Sequence, residues 1–401
     1  MKHIVFIVGN YKNGGVPMRS TNLANAFAEK GYSATILVTK EIADNIYFSL
    51  HENVSLVVLS DYVKNHKAQA DRIAKERENL IKNIKKLRYL TKFNKKADNN
   101  LALKIKELRK GKDIAVFAEN NPDAIYITFG ISYYEMTYCA TKKYGCNIIY
   151  AERNAPEVEF PSDEEQKNYY LNILSHSKGA VLQTADELEF FDRALKNAVV
   201  INNPVKANLP EPFVGERRNV VVNFCRIAKQ KNIPLMINAF LKLHKDFPEY
   251  TLEIYGNTVA DVEEQLLEEY KELVRKYNAD EFIKFLPPRA DVHDVIKDAM
   301  MFVSSSDFEG LSNSMLESMA IGLPCVCTDC LGGGAREMIT DGENGLLVSM
   351  NDADALYKAM KKMITDDELR IKCSLNASKV RETHAVEKIS EKWLKYIESV
   401  I

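Results

Sequence analysis

The chain has 401 residues and a formal net charge of −2, with the hydrophobic (46%) and charged (27%) fractions of a soluble globular protein. At about 150 residues per domain, this length predicts two or three domains. No apolar run approaches the roughly 20 residues that a membrane-spanning helix needs, and the N-terminus lacks the layout of a signal peptide. We therefore expect a cytoplasmic protein.

The charge is unevenly distributed along the chain. Residues 64–112 contain 17 Lys/Arg against 5 Asp/Glu, so the remainder is acidic. Helical periodicity there, with a break expected at Asn99-Asn100, gives an apolar stripe of Ile73, Leu80, Ile84 and Leu87. Such an element suits an anionic membrane surface or phosphate groups, but a solvated helical pair docked on a sheet explains it equally well. Nucleic acid is not favoured, because aromatic residues are sparse and no binding motif is present.

The seven cysteines argue against a disulfide framework, because their number is odd and they are scattered over a long chain. Cys325, Cys327 and Cys330 lie close enough to raise the question of a metal site. No second Cys/His pair has zinc spacing, and the first two lie in a strand-like segment. We interpret them as small buried side chains.

Alternating strand and helix patterns in the first half predict a parallel α/β sheet. The predicted strands are residues 2–8, 33–38, 114–117, 124–128, 147–150 and 180–183.

Gly14 and Gly15 precede the first predicted helix, at residues 17–30. Paired glycines let a backbone approach a phosphate closely, although a tight strand-to-helix turn is an equal explanation. The pattern is not Gly-x-Gly-x-x-Gly, so a dinucleotide site is not indicated.

Glu152, Arg153 and Asn154 directly follow a predicted strand. In open α/β sheets, ligands bind outside the carboxyl ends of the strands. These residues therefore either line a cleft or form a local ion pair in a surface loop.

A linker rich in Pro, Asn and charged residues is predicted from about residue 199, and a second α/β series begins at Asn219. Its first strand ends in a loop with Arg226 and Lys231. Two cations at a carboxyl strand end suit a diphosphate, Arg through its bidentate fork and Lys as a mobile charge.

Residues 304–328 describe a strand end, a loop of small polar residues and a Ser/Asn-capped helix start. Glu309 and Glu317 flank that helix start. Backbone N–H groups at a helix N-terminus attract anions, and carboxylates accept hydrogen bonds from sugar hydroxyls. The stretch therefore predicts a sugar nucleotide with its diphosphate at the helix start.

These motifs closely resemble the retaining GT-B glycosyltransferases of family 4, the group 1 glycosyltransferases. Glu309 and Glu317 match the Glu-x7-Glu motif of that family, and Arg226 and Lys231 match its Arg…Lys loop. The resemblance covers the second half of the chain and, more loosely, the first strand with its glycine loop. Residues 152–154 and the glycine loop that follows Cys330 look like those of members that assemble bacterial polysaccharides or lipid-linked oligosaccharides.

The resemblance implies an α/β, GT-B architecture of two Rossmann-like doubly wound domains facing a central cleft. Residues 1–205, completed by a terminal helix at 385–401, would form the acceptor-side domain. Residues 206–384 would form the nucleotide-sugar-binding domain.

The resemblance also implies roles for individual residues. Arg226 and Lys231 would clamp the donor diphosphate, and Glu309 would hold a hydroxyl of the sugar, as the catalytic residues. The implied nucleotide-sugar-binding residues are Gly14, Gly15, Gly256, Leu286, Gly310, Leu311, Ser312, Asn313 and Glu317. Among these, the backbone amides of Leu311 to Asn313 would meet phosphate oxygens. The acceptor-side residues would be Glu152, Arg153 and Asn154. No metal or cofactor is implied, because cations and a helix terminus carry the charge.

The sequence departs from the family at two places. Many members have a histidine near the position of Phe129-Gly130, and this chain has none there. The usual Gly-x-Gly is replaced by Gly256-Asn257-Thr258. An N-terminal polar catalyst and the mode of base recognition are therefore not assigned.

The resemblance implies a retaining transferase that moves a hexose or N-acetylhexosamine from a UDP-linked sugar to a glycan or polyprenyl-pyrophosphate-linked acceptor. The same resemblance would give residues 64–112 a purpose at the inner face of the cell membrane: holding either a lipid pyrophosphate acceptor or anionic lipid. Two alternatives remain: a GT-B sugar-nucleotide epimerase, which would need no acceptor, and an inactive nucleotide-sugar-binding partner subunit.

Overall fold

The structure is a computed structural model that describes residues 2–12, 14–43, 46, 49–91, 95–258 and 261–401. The strands in these residues form two separate sheets, one in each half of the chain, and every strand pair is parallel.

The N-terminal sheet has the strand order β3-β2-β1-β4-β5-β6-β7. Its strands are β1 (His3–Val8), β2 (Ser33–Val38), β3 (Val54–Val58), β4 (Ile125–Phe129), β5 (Asn147–Ala151), β6 (Gly179–Leu182) and β7 (Ala198–Val200). The chain reverses its direction of progress across the sheet between β1 and β4, which is where doubly wound sheets bind ligands.

The C-terminal sheet repeats this arrangement with the order β10-β9-β8-β11-β12-β13. Its strands are β8 (Arg218–Arg226), β9 (Thr251–Asn257), β10 (Ile283–Leu286), β11 (Ala299–Ser304), β12 (Cys325–Thr328) and β13 (Leu346–Val348). The corresponding switch point lies between β8 and β11. Two Rossmann-like parallel-sheet domains are thus confirmed.

The helices of the first half are α1 (Gly15–Glu29), α2 (Leu59–Asn65), α3 (Lys67–Thr91), α4 (Lys95–Arg109), α5 (Lys112–Asn120), α6 (Ile131–Thr141), α7 (Pro156–Glu159), α8 (Glu164–Leu174) and α9 (Ala185–Phe191). Those of the second half are α10 (Ile233–Asp246), α11 (Asp261–Lys276), α12 (Val292–Ile296), α13 (Asn313–Ala320), α14 (Gly334–Met338), α15 (Ala353–Thr365), α16 (Asp367–Ala377), α17 (Val380–Thr383) and α18 (Val386–Val400).

Each sheet is buried on both faces. In β1, Val5 and Ile7 belong to one apolar cluster, whereas Ile4 and Phe6 belong to another on the opposite face. Successive side chains of a strand point to opposite faces, so a sheet covered by helices on both sides needs a continuous apolar run.

The last helix, α18, packs on the N-terminal sheet. Ile389, Trp393 and Ile397 are buried in the same cluster as Ile4 and Phe6. The chain therefore returns to its first half after completing the second. The residue bounds proposed for the two domains stay a prediction.

Several predicted elements differ from the structure. Residues 114–117 form helix α5 rather than a strand, and all four are buried. A short apolar run buried all round cannot be assigned to helix or strand by periodicity. Strand β3 was not predicted, and residues 199–200, predicted to begin the linker, lie in β7.

The basic element forms two helices, α3 and α4. The break predicted at Asn99-Asn100 is wrong, because both residues lie inside α4. Residues 92–94 of this element lie outside the described part of the chain. Among the described residues, no helix combines the length and apolar character needed to cross a membrane.

Candidate functional site

A cleft of about 620 Å³ lies between the two domains, where the carboxyl ends of the strands at both switch points meet. Its N-terminal face is made by the loops after β1, β4 and β5. Its C-terminal face is made by the loops after β8 and β11. The predicted site residues that line it are Gly15, Glu152, Arg153, Asn154, Arg226, Lys231, Glu309, Leu311, Ser312, Asn313 and Glu317.

Four predicted site residues do not line this cleft. Gly14 directly precedes α1, and Leu286 lines a separate pocket beside α11. Gly256 lines a pocket of about 190 Å³ that shares Phe224 and Cys225 with the cleft. A Cβ atom on Gly310 would lie 2.5 Å from Gln183 Oε1, so that glycine permits close contact between the domains.

Lys231 and Glu309 form an ion pair on the C-terminal face. Lys231 Nζ contacts Glu309 Oε1, and Ser306 Oγ donates a hydrogen bond to the same oxygen at 3.0 Å. Burial lowers the pKa of Lys231, but the adjacent carboxylate outweighs it and leaves the pKa above its usual value. The lysine is therefore charged at neutral pH, and a cation and a carboxylate are held side by side in the cleft.

The loop that carries Lys231 is bonded to the loop that carries Glu309. Ser305 Oγ donates to the carbonyl oxygens of Lys231 and Asn232, at 2.9 and 3.0 Å. Asn232 adopts a left-handed conformation (φ 43°) before α10, and its side-chain Nδ2 donates to Asp307 Oδ1 at 2.7 Å. The position of the ion pair is therefore fixed by hydrogen bonds between the two loops.

Arg226, at the end of β8, is more exposed than Lys231. Its Nε lies 3.4 Å from Glu263 Oε1 of α11, and 52% of its side chain is accessible. The arginine is thus held loosely at the cleft rim, where its guanidinium can reach an anion.

Glu317 has a partner that the sequence analysis missed. His293 of α12 places Nε2 2.8 Å from Glu317 Oε2, and both side chains are largely buried. Phe224 packs edge-on against the imidazole ring, with ring centroids 5.5 Å apart. Glu317 Oε2 is therefore occupied by the protein, whereas Oε1 receives no hydrogen bond from the described residues.

The N-terminus of α13 is capped by Ser312, whose Oγ accepts a hydrogen bond from the Met315 amide at 3.4 Å. The Leu311 amide, expected to face a phosphate, donates instead to Gln183 Oε1 at 3.2 Å. Asn203 Nδ2 donates to the Leu311 carbonyl oxygen at 3.1 Å. Both polar backbone atoms of Leu311 thus serve the contact between domains.

Glu152, Arg153 and Asn154 do not form an exposed surface loop. Glu152 is fully buried and accepts hydrogen bonds from Tyr150 Oη and from the amides of Arg153 and Asn154. Burial and the nearby Glu159 carboxylate raise the pKa of Glu152 to about 7. This carboxyl group therefore titrates near neutral pH.

Arg153 extends from this loop across two aromatic rings. Its guanidinium carbon lies 4.6 Å from the Phe129 ring centroid and 5.9 Å from that of Trp393. Burial lowers the pKa of Arg153 to about 10, so the side chain stays cationic. Trp393 belongs to α18, so the terminal helix helps to position a residue of the cleft.

Arg19 of α1 lines the same cleft and was not predicted as a site residue. It lies at an interior position of a helix, where nothing in the local sequence marks it. Asn313, the first residue of α13, accepts a hydrogen bond from Arg19 Nη2 at 2.8 Å. The two residues join the domains across the cleft.

The cysteines at 325, 327 and 330 are buried, as interpreted from the sequence. Burial raises the pKa of all three thiols, to about 12 for Cys330. Within the described ranges, no group of three or more His, Cys, Asp or Glu residues is arranged to hold a metal ion.

Residues 206–380 match the model of the family described as "Glycosyl transferases group 1". A curated relative, an uncharacterized glycosyltransferase of Haemophilus influenzae, is 22% identical over 98% of this chain and 99% of its own length.

Two relatives with described activities match over part of their length. A Campylobacter jejuni N-acetylgalactosamine-N,N'-diacetylbacillosaminyl-diphospho-undecaprenol 4-alpha-N-acetylgalactosaminyltransferase is 30% identical over 56% of this chain and 59% of its own length. The Staphylococcus aureus poly(ribitol-phosphate) alpha-N-acetylglucosaminyltransferase is 25% identical over 78% of this chain and 61% of its own length.

Solved structures share the whole architecture. TarM has a TM-score of 0.74 at 14% identity over 99% of this chain and 98% of its own. Anabaena HepE, solved with UDP and glucose, has a TM-score of 0.72 at 15% identity over 100% of both chains. These likenesses confirm the predicted GT-B fold.

Proposed function

We propose that this chain, whose residues 206–380 match the group 1 glycosyl transferases, is a retaining family 4 enzyme. It would move a hexose or N-acetylhexosamine from a UDP-linked sugar to a glycan or lipid-linked acceptor in cell-surface polysaccharide synthesis. The names of two relatives support this acceptor class, since they specify an undecaprenol diphosphate-linked glycan and poly(ribitol-phosphate).

The observation that carries the proposal is the Lys231–Glu309 pair beside the N-terminus of α13. When the bond between sugar and diphosphate breaks, negative charge develops on the leaving nucleotide. Lys231, with Arg226 at the rim, would stabilise that charge, and such preorganised electrostatic stabilisation is usually the largest catalytic contribution. Glu309 would accept a hydrogen bond from a hydroxyl of the donor sugar.

The hydrogen bonds of the cleft refine the other roles. Because the Leu311 amide is bonded to Gln183, the phosphate oxygens would meet the amides of Ser312 and Asn313 instead. Glu317 has one oxygen bonded to His293, so Oε1 would accept from the ribose. The pocket that holds Gly256 would border the base.

The cleft supplies its own positive charge, so the proposed reaction needs neither a metal nor a cofactor. Arg226, Lys231 and the N-terminus of α13 all lie on the donor side. Together they can balance a diphosphate without a divalent ion.

A screen of nucleotide sugars by thermal stabilisation and product analysis tests the proposal. UDP-linked sugars should raise the unfolding temperature of the wild-type protein but not that of Lys231→Ala. Lys242→Ala is the matched control, because Lys242 of α10 lies in the same domain and forms an exposed ion pair with Asp354 of α15. Absence of any stabilising nucleotide sugar would contradict the proposal, and conversion of UDP-sugar without an acceptor would indicate an epimerase.

We further propose that α3 and α4 rest on anionic lipid at the cytoplasmic membrane face. The apolar stripe of α3 begins in the core at Ile73 but is exposed further along, with 51% of Leu80 and 47% of Leu87 accessible. Exposed lysines at 82, 85 and 86 border it. Exposed apolar side chains beside lysines are typical of helices that bind membrane surfaces.

Sedimentation with anionic vesicles tests the membrane contact. Reversing Lys82, Lys85 and Lys86 to Glu should weaken binding, because each cation near an anionic surface contributes about 1 kcal/mol. Arg88 is left intact, since it forms two 2.7 Å hydrogen bonds to Asp98 of α4. Reversal of Lys358, Lys362 and Lys388, exposed elsewhere on the protein, is the control. Equal binding by both triple variants would show that α3 and α4 have a purely structural role.

A further inference from the structure

Arg19 is a buried cation whose hydrogen-bonding capacity is largely unused. Only 7% of the residue is accessible, and its side chain reaches the cleft from the interior of α1. Nη2 donates to Asn313 Oδ1 at 2.8 Å, whereas the buried Nε has no hydrogen-bond partner in the described part of the protein. Buried polar groups of native proteins are nearly always paired, so an unpaired guanidinium N–H requires an explanation.

The charges around Arg19 point to a missing anion. No carboxylate among the described residues lies within ion-pair distance of its guanidinium, although Glu309 and Glu317 act on it from further away. Burial and Arg153 lower the pKa of Arg19 to about 9, which leaves it charged at neutral pH. A buried charge without a counterion is unfavourable, and a bound anion would relieve it.

The contact with Asn313 shows where that anion would lie. Asn313 begins α13, an eight-residue helix whose N-terminus is capped by Ser312 and opens into the cleft. Gly15, one turn before Arg19 on α1, approaches the same side chain: a Cβ atom there would lie 3.4 Å from Asn313 Nδ2. Arg19 therefore projects to the helix terminus at which phosphate oxygens are expected.

We infer that Arg19 binds the diphosphate of the nucleotide sugar, as a third cation supplied by the N-terminal domain opposite Arg226 and Lys231. This inference rests on the proposed function. With Arg19 as a ligand, the diphosphate is bound by both domains, so donor binding itself links the two faces of the cleft.

Calorimetric titration of uridine, UMP and UDP tests the assignment without relying on turnover. Arg19→Gln should weaken UDP binding by about tenfold or more, as expected for loss of a charge-assisted hydrogen bond, and leave uridine binding unchanged. Arg19→Lys keeps the positive charge but loses the forked guanidinium, so its affinity for UDP should lie between those of Arg19→Gln and the wild type. Lys30→Gln, at the exposed end of α1, is the control, since Lys30 pairs with Glu391 on the surface.

The possible results separate this inference from the proposed function. UDP binding by Arg19→Gln within twofold of wild type, or an equal loss for all three ligands, would overturn it. Unchanged UDP binding with a raised acceptor KM would overturn it in favour of a phosphate on the acceptor. If Arg19→Gln does not fold, Arg19→Lys decides the question: binding of UDP as tight as that of the wild type would contradict the inference. Failure of the wild-type protein to bind UDP, with no difference from Lys231→Ala, would instead refute the proposed function and this inference with it.

Discussion

The two faces of the cleft hold their charges in different ways. On the C-terminal face, ionisable side chains are paired within their own domain: Lys231 with Glu309, and Glu317 with His293. On the N-terminal face, Arg19 is buried and Arg153 is half-buried, and the Nε of each has no hydrogen-bond partner among the residues that the structure describes. One face is thus assembled in advance, whereas the other has capacity left for a ligand.

This difference follows from where the partners come from. Side chains that are paired within one domain keep their geometry when the domains move. Such groups need no reorganisation during a reaction, which suits them to electrostatic catalysis. Arg19 meets its partner Asn313 only across the domain boundary, at a separation of 294 positions in the chain. The arrangement of the N-terminal face therefore depends on how the two domains meet.

The largest effect is expected from the preassembled face. Glu309→Gln should lower kcat by about 100- to 1,000-fold, because it removes the charge beside Lys231 and weakens the contact with the reacting sugar. The fold should persist, since the amide can still accept from Ser306. Glu268→Gln, on the exposed surface of α11, is the control. Activity within threefold of wild type would remove Glu309 from the catalytic residues.

Glu152, the buried carboxyl group of the N-terminal face, should make the free energy of unfolding depend on pH. The pKa of Glu152 is about 7 in the folded protein, above its ordinary value of 4.5, so folding favours the protonated form. The contribution of Glu152 to the free energy of unfolding is therefore fully present below about pH 4.5 and is lost as the pH rises through about 7. Glu152→Gln, permanently neutral, should therefore gain up to about 3 kcal/mol over wild type between pH 4.5 and pH 8.

Unfolding by urea, followed through the fluorescence of Trp393, measures this difference. Trp393 is the only tryptophan in the sequence. It is buried against the N-terminal sheet, and Glu152 directly follows strand β5 of that sheet. Glu272→Gln on the surface of α11 is the exposed reference. A difference between Glu152→Gln and wild type that does not change with pH would show that Glu152 is already ionised in the folded protein.

The preassembled face could be found in the sequence because its chemistry is local. Glu309 and Glu317 flank one helix start, and Arg226 and Lys231 lie on one loop. The alternation of strands and helices likewise predicted both sheets. The spacing of a few residues is enough to place such groups together.

Residues that act across elements had no such signal. His293 reaches Glu317 from another helix, and Gln183 reaches Leu311 from the other domain. Their positions follow from the packing of whole domains, which periodicity does not reveal. The Leu311 amide was therefore expected to face a phosphate although the structure bonds it to Gln183.

Substitution of Gln183 tests whether the contact between domains supports the loop of residues 309–311, which carries the proposed catalytic residue Glu309. Gln183 is fully buried, and Gln183→Ala would leave the Leu311 amide without its acceptor and Asn203 without its donor. We expect a loss of about 1–3 kcal/mol in unfolding free energy, with a lower kcat because residues 309–311 are released. Gln166→Ala on the exposed surface of α8 is the control. Unchanged stability and kcat would mean that the loop is held by the C-terminal domain alone.

The smallest effect is expected where a partner supports a binding residue without touching the substrate. His293→Ala removes the hydrogen bond to Glu317 Oε2 and frees that carboxylate to rotate away from the position proposed for the donor ribose. The KM for the donor should rise about tenfold while kcat changes little, because the hydrogen bond orients a ground-state contact. His293→Gln, which can still donate to the carboxylate, should recover part of the affinity, whereas His244→Ala, remote on α10, should behave as wild type. A fall in kcat at constant KM would instead place Glu317 among the groups that act in the transition state, and the two glutamates of the helix start would then share one role.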